Sequence, residues 1–123
     1  CETLADIEEL CRKRAISHGL KVNFKQSNFE GEIVADIQSA RDAAAVIIIN
    51  GAGYTHTSIA ILDALKISKL PIIELHLSNI HAREAFRHHS YIAKAATGII
   101  CGFGAHGYVL AIDAMARLIE CAD

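Results

Sequence analysis

A continuous run of β-branched residues near the middle of the chain constrains the fold more than any other feature. Val46 to Ile49 contains no polar residue, and Asn50 follows it directly. Such a run is typical of a parallel strand that is covered on both faces, because a strand with one wet face alternates polar and apolar residues. The sequence therefore predicts a parallel sheet between two layers of helices.

Further strands and amphipathic helices alternate around this run. Strands are predicted at 21–25, 71–76 and 98–102, besides the central run. Helices are predicted after Thr3, after Asn28, from about Thr55–Ser58, and around Val109–Ile119, with one or two short helices inside the polar segment 78–96. Strand–helix alternation predicts an α/β fold with helices on both faces of a doubly wound sheet. Such a sheet usually opens with a central strand. This chain opens with a helix, so we expect that first, central strand to be missing from the sequence.

Composition excludes several classes of protein. The 123 residues fit one domain, 1–123, and with 52% hydrophobic residues and a net charge of −2 the chain is neither disordered nor patterned for nucleic acid. The longest apolar run, 43–49, is too short to cross a membrane, and no secretory signal is visible. Cys1, Cys11, Cys101 and Cys121 lack the close spacing of metal or disulfide pairs, so we expect reduced thiols in a cytoplasmic protein.

Polar residues follow the predicted strands at the points where the strands end. Asn50 ends the central strand, His76 ends the next, and a glycine-rich loop, 102–107, follows the last. The carboxyl ends of parallel strands meet at one edge of a sheet, where open α/β folds bind ligands. Glu74 lies two residues before His76 and so shares its face of the strand. A carboxylate that holds one imidazole nitrogen would favour a general acid, although a purely structural contact fits the same spacing.

Three other features each allow two interpretations. The turn 50–53 is either a simple strand-to-helix connection or an anion site, and His56 either lines that site or only decorates a helical turn. Arg83 and Arg87, four residues apart, either clamp a carboxylate or form surface ion pairs. The histidine cluster His76, His81, His88 and His89 does not have a usual metal-ligand spacing, so no metal is expected.

Several longer motifs make a family resemblance specific. The segments 50–58 (NGAGYTHTS), 74–84 (ELHLSNIHARE) and 86–91 (FRHHSY) resemble type II 3-dehydroquinate dehydratase, as do 26–32 and 102–108. The resemblance covers essentially the whole chain. It implies a flavodoxin-like fold. It also implies an enzyme of the shikimate or quinate pathway that eliminates water from 3-dehydroquinate to give 3-dehydroshikimate. It also implies no cofactor, no metal, and trimers that assemble into a dodecamer.

The resemblance also implies roles for individual residues. His76 would be the general acid, supported by Glu74, and Asn50 would bind a substrate hydroxyl and help to place a water against the enolate. The remaining implied roles are hydroxyl binding by His56 and Arg87, carboxylate binding by Leu77 and Ser78, a supporting role for Arg83, and contact with a neighbouring subunit's site by Asp63.

The sequence departs from the family pattern at two points. Gly51 replaces a common proline, which should soften the turn. The family's lid arginine and its base, a tyrosine, are expected upstream of Cys1, and Tyr54, Tyr91 and Tyr108 belong to other motifs. A non-catalytic module that binds a small acid or supports an oligomer therefore stays open as an alternative. A receiver domain is disfavoured, because Asn50 stands where its acidic cluster would be expected.

Overall fold

A parallel sheet forms the centre of the fold, with strand order β1–β2–β3 in residues 2–121, the part of the chain that the computed structural model describes. The strands are β1, Ile47–Ile49, β2, Ile72–His76, and β3, Gly98–Cys101. Both neighbouring pairs run parallel, with Ile49 beside Glu74 and His76 beside Cys101. The α/β class predicted from the sequence is confirmed, and all three carboxyl ends lie at one edge.

Helices cover the two faces of this sheet. They are α1, Leu4–Ser17, α2, Glu30–Ala43, α3, Ile59–Ser68, and α4, His106–Cys121. One core layer joins α2 and α3 to the sheet, and its buried members are Ile37, Ile49, Ile61, Ala64, Leu65, Ile72 and Ile92. The other face is packed by α1 and α4, through buried residues that include Ile7, Cys11, Ile73, Ala111, Ile112 and Met115.

The helix ends follow local rules that the sequence shows. Thr3 and Asp6 form a capping box at the start of α1: the Thr3 N–H donates to the Asp6 carboxylate at 2.9 Å, and the Asp6 N–H donates to the Thr3 hydroxyl at 3.1 Å. Ser58 caps α3 by accepting from the N–H of Ile61 at 3.0 Å. At the start of α4, a Cβ on Gly107 would lie 2.8 Å from Leu75, so the absence of a side chain lets this helix approach β2.

Two sequence predictions about the segment before α2 are wrong. Residues 21–25 form no strand, because no strand within residues 2–121 lies beside them to supply a hydrogen-bond ladder. Val22 and Phe24 instead pack against the α1 core, and Arg12 donates to the carbonyl of Val22 at 3.0 Å. Asn28 does not cap α2. The cap position is Phe29, and it provides no side-chain hydrogen bond.

The cysteines in the described range are free thiols. Cys11 is buried against α4, Cys101 is half-buried, and Cys121 is exposed. Burial raises the pKa of the Cys11 thiol, which favours the neutral form expected of a core residue. Cys1 lies outside the described residues. No helix within 2–121 has the length and apolar character needed to cross a membrane. The cytoplasmic location expected from cysteine usage stays a prediction.

Candidate active site

An open cleft lies at the edge of the sheet where the strands end. Its volume is about 220 Å³. It is lined by Asn50, Ala52, Gly53, His56, His76, Leu77, Ser78, Ile80, Arg83 and Arg87. Seven of the candidate residues predicted from the sequence are in this list, and they come from three stretches of chain, 50–56, 76–80 and 83–87. The geometry therefore assembles one polar site from residues that the sequence places far apart.

A buried acid–base pair adjoins the cleft, with His76 in its lining and Glu74 behind it. His76 is 5% exposed and Glu74 is fully buried, and His76 Nε2 lies 2.5 Å from Glu74 Oε2. The predicted contact between these two side chains is present. Because Glu74 engages only one ring nitrogen, His76 keeps Nδ1 for another partner. The arrangement holds the ring by one nitrogen, as a histidine that acts as a general acid on a bound molecule requires.

Ser90 hydrogen-bonds to Glu74 and so adds a third residue to this pair. Ser90 was not identified as a site residue from the sequence. Its hydroxyl lies 3.0 and 2.9 Å from the two carboxylate oxygens of Glu74. Ser90 belongs to a loop 16 residues further along the chain, and no local spacing links it to the strand. The only sequence signal is its place inside the motif 86–91.

The same short segment also fixes the second histidine of the cleft. His56 Nδ1 lies 2.8 Å from the carbonyl of His89 and so donates to it, and the N–H of Tyr91 donates to the carbonyl of Thr55 at 2.9 Å. The His56 and His76 rings are nearly parallel, at 15°, with centroids 6.3 Å apart. Two adjacent residues of this segment therefore act on the two histidines: His89 holds His56 directly, and Ser90 reaches His76 through Glu74.

Asn50 begins the turn at the mouth of the cleft. Its side-chain oxygen accepts from the N–H of Ala52 at 3.1 Å, which leaves its amide N–H groups for other partners. The turn continues into a 3₁₀ helix, Ala52–His56, before α3 begins. The glycine-rich turn therefore does not lead directly into the N-terminus of α3, as the anion-site interpretation required. A Cβ at Gly51 would lie 2.5 Å from Ile92 Cδ1 and 2.7 Å from Thr55 Oγ1, so a side chain here would require those two side chains to shift.

Arg83 and Arg87 both line the cleft, but they do not share one helix. Arg83 follows the 3₁₀ helix Ile80–Ala82, and Arg87 belongs to a second one, Ala85–His88. Glu84 Oε2 lies 2.6 Å from Arg87 Nε and 3.9 Å from Arg83 Nε. A hydrogen bond from its own backbone, followed by the one from Arg87, lowers the pKa of Glu84. This carboxylate therefore stays ionised and orients the Arg87 side chain at the cleft wall.

The tyrosines of the described chain are poorly placed as bases. Burial raises the pKa of Tyr108, and a hydrogen bond to Asn50 only partly opposes that effect. Tyr54 donates its hydroxyl proton to the carbonyl of Asn28 at 2.9 Å. Tyr91 packs edge-on against His89, with ring centroids 5.0 Å apart. The base implied by the resemblance therefore stays a prediction.

Two further expectations concern residues beyond the cleft lining. Asp63 lies exposed on α3 and does not line the cleft, so its implied contact with another subunit's site stays a prediction. Among residues 2–121, no three His, Cys, Asp or Glu side chains are grouped so that they could hold a metal ion. His81 and His88 lie near each other, with ring centroids 5.7 Å apart, but form only a pair.

Comparison with known proteins gives one consistent family. The model of dehydroquinase class II matches residues 1–116. A 3-dehydroquinate dehydratase of Methylobacterium radiotolerans is 56% identical over 117 residues, which cover 95% of this chain and 78% of the relative. A 3-dehydroquinate dehydratase of Acidovorax ebreus is 51% identical over 121 residues, which cover 94% of this chain and 82% of the relative.

Solved structures agree with the sequence comparisons. The type II dehydroquinase from Propionibacterium acnes superposes with a TM-score of 0.89 at 39% identity, and the match covers 94% of this chain and 85% of that one. A 3-dehydroquinate dehydratase-like protein from Bifidobacterium longum gives a TM-score of 0.79 at 34% identity, covering 95% and 89%.

Proposed function

The chain belongs to the class II dehydroquinase family of hydro-lyases, and we propose that its cleft carries out that family's reaction with His76 as the general acid. The reaction eliminates water from 3-dehydroquinate to give 3-dehydroshikimate. The observation that supports this most strongly is the His76–Glu74 pair, buried behind a cleft that is lined by hydroxyl- and anion-binding groups. The fold proposed for the chain that carries this cleft is flavodoxin-like, and the parallel sheet between helices supports that proposal.

The chemistry requires two proton movements. A base removes the proton next to the ketone, and the electrons of that C–H bond form an enolate. The enolate then expels the hydroxyl group, which is a poor leaving group and takes a proton from His76 to depart as water. Glu74 accepts from the other ring nitrogen of His76, and its charge stabilises the imidazolium before the transfer. The Asn50 side-chain oxygen is held by the N–H of Ala52, so an amide N–H that is not bonded to Tyr108 can place a water against the enolate oxygen.

Substrate binding is assigned to the rim of the cleft. His56 and Arg87 hold ring hydroxyls, and the Leu77–Ser78 segment receives the substrate carboxylate. Two features support these roles: the His89 carbonyl fixes the His56 ring, and Glu84 fixes Arg87. Arg83 adds positive charge at the same rim, where the reaction's anionic substrate enters. The base is a tyrosine outside the residues that line this cleft.

A homo-oligomer, trimeric at its first level and dodecameric in full, is part of the same proposal. Asp63 lies on the outer face of α3, with Ile59 one turn before it and Ile67 one turn after it. The two isoleucines are 56% and 58% exposed, so this face presents apolar surface around a single carboxylate. A neighbouring subunit packed there would bury the isoleucines and bring Asp63 towards its cleft.

The test is turnover by the full-length protein. Added 3-dehydroquinate should yield a conjugated enone that ultraviolet absorbance detects, and EDTA should not change the rate. His76→Ala should remove nearly all turnover, whereas the exposed His81→Ala should keep it. Undiminished turnover in His76→Ala would contradict the assigned acid. Binding of 3-dehydroshikimate without any turnover would favour a non-catalytic binding module instead.

A further inference from the structure

Glu74 is a buried carboxylate whose charge needs hydrogen-bond donors. The side chain is fully buried in the core layer beneath α3, where its strand neighbours are isoleucines. An ionised carboxylate in such surroundings is costly unless donors are supplied to it. The structure supplies two: His76 Nε2 on one oxygen and Ser90 Oγ within 3.0 Å of both. Ser90 is therefore one of the two side chains that hydrogen-bond to Glu74.

The Ser90 hydroxyl is itself fixed in direction. The N–H of Ala93 donates to Ser90 Oγ at 3.0 Å, so the hydroxyl acts as an acceptor on one side. The hydroxyl proton must then be donated to an acceptor, and that acceptor is the Glu74 carboxylate. The neighbours of Ser90 are also held, since the His89 carbonyl accepts from His56 and the Tyr91 N–H donates to Thr55. The loop therefore presents this hydroxyl to Glu74 in one orientation.

We propose that Ser90 is a positioning residue that keeps Glu74 ionised and in the orientation that presents His76 to the cleft. Ser90 does not line the cleft, so it acts only through Glu74. The inference rests on the proposed function for the role of His76 as acid. It adds a third member to the pair, contributed by a loop rather than by the strand that carries the other two.

Loss of this hydroxyl has a definite electrostatic consequence. When His76 is protonated, the pair with Glu74 is neutral overall, and when His76 loses its proton the pair carries a buried negative charge. The Ser90 hydroxyl stabilises the negative state more, because hydrogen bonding to a charged form favours that form. Without it, the pair holds its proton to higher pH. The pH above which kcat falls therefore moves upward.

Other charged groups near His76 do not change in this comparison. His56 faces it from the 3₁₀ helix at 52–56, and Arg83 and Arg87 face it across the cleft. On the sheet, Cys101 of β3 is its register partner. Because all of these stay in place, a shift in the pH profile of a Ser90 variant reports on the hydroxyl.

Ser58 offers a closely matched control. Its hydroxyl donates to Glu30 at 2.5 Å and accepts from the N–H of Ile61, three residues on, just as Ser90 donates to Glu74 and accepts from Ala93. Both serines therefore join a carboxylate to the start of a helical turn. Ser58→Ala removes the same two kinds of hydrogen bond, but at a carboxylate that does not contact His76.

The experiment compares Ser90→Ala, Ser90→Thr and Ser58→Ala in the full-length protein. In Ser90→Ala, kcat for 3-dehydroquinate should fall by about tenfold with little change in KM, because the acid is misplaced rather than the binding site lost. The upper limb of the kcat–pH profile should move up by roughly half to one pH unit. Ser90→Thr keeps the hydroxyl, so its kcat and the upper limb of its kcat–pH profile should lie close to those of the wild type. Ser58→Ala should lose stability without moving the profile.

A second readout separates this inference from the proposed function. NMR titration of the His76 ring should show the same upward movement in Ser90→Ala, whether or not the protein turns over 3-dehydroquinate. Absence of turnover in the wild type would overturn the proposed function. The NMR titration of His76 would still test whether Ser90 acts on the His76–Glu74 pair. A profile and a His76 titration that match the wild type would overturn the role of Ser90. Should Ser90→Ala fail to fold, Ser90→Cys, a weaker donor of similar size, is judged by the same two measurements.

Discussion

Glu74 Oε2 lies 2.5 Å from Nε2 of His76, and both side chains are almost completely shielded from solvent. Since the two residues are separated by one position on β2, the strand itself sets their alignment. The carboxylate and the imidazole therefore act as one unit, and the behaviour of either depends on the other.

Replacing Glu74 by glutamine tests that dependence directly. The amide keeps the shape of the side chain but removes the charge that stabilises a protonated His76. We expect kcat to fall by about 100-fold, within the range typical of general acid catalysis, with a smaller change in KM. Steady-state kinetics on 3-dehydroquinate measures both. Glu30→Gln is the matched control, because Glu30 also accepts from a serine but is not the carboxylate that bonds to His76. Equal losses in the two variants would contradict the pairing.

Much of this site could be predicted because it depends on local rules. The edge of the sheet was predicted from two apolar strands, one followed by Asn50 and the other ending at His76. The alternation of side chains along β2 placed Glu74 on the same face as His76. These inferences need only the periodicity of a strand and the parallel arrangement of the sheet.

What could not be predicted depends on contacts between distant residues. Ser90 reaches Glu74 from a loop whose path is set by the Tyr91–Thr55 backbone hydrogen bond, and no sequence period encodes that path. The segment 21–25 alternates like a strand, yet alternation cannot supply the neighbour that a ladder requires. Arg83 and Arg87 have helical spacing, but the chain there forms separate 3₁₀ turns.

The turn after β1 should be sensitive to a single methyl group. A Cβ at Gly51 would lie 2.5 Å from Ile92 Cδ1 and 2.7 Å from Thr55 Oγ1. Gly51→Ala should therefore lower the free energy of unfolding by about 1–3 kcal/mol, as overpacking of a core typically does. Urea denaturation measures the change. Gly53→Ala, in the same turn, meets no atom within 4 Å and should change stability by less than about 1 kcal/mol. A similar loss in both would indicate that crowding is not the cause.

Thr55 carries a buried hydroxyl that has no hydrogen-bond partner. The residue is fully buried, and its Oγ1 is the one such side-chain atom found in the described part of the chain. Thr55→Val keeps the shape and removes the unpaired polar atom, so we expect the free energy of unfolding to rise by about 1 kcal/mol. Thermal and urea denaturation measure it. Thr55→Ser keeps the hydroxyl and loses a methyl, and should be destabilising. A less stable valine variant would show that the hydroxyl does have a partner in solution.

The Asp113 carboxylate joins the C-terminal end of α1 to α4 and should make stability depend on acid pH. It accepts from Arg14 at 2.6 and 2.8 Å and lies 2.7 Å from His18 Nε2. The hydrogen bond from Arg14, and then that from His18, lower the pKa of Asp113 to about 2. An unfolded aspartate has a pKa of about 3.9, so the folded state holds fewer protons between these values. This contribution is therefore fully present above about pH 4 and disappears as the pH falls towards 2.

Asp113→Asn removes that contribution. At neutral pH, the free energy of unfolding should fall by about 0.5–1 kcal/mol, the range for a partly exposed but bidentate ion pair. The difference between variant and wild type should shrink as the pH falls from about 4 towards 2, because protonation removes the same charge from the wild type. Urea denaturation across this pH range measures it. Asp42→Asn, at an exposed position on α2, should leave the pH dependence as it is. A constant difference at every pH would mean that Asp113 stabilises the α1–α4 contact by packing and not by its charge.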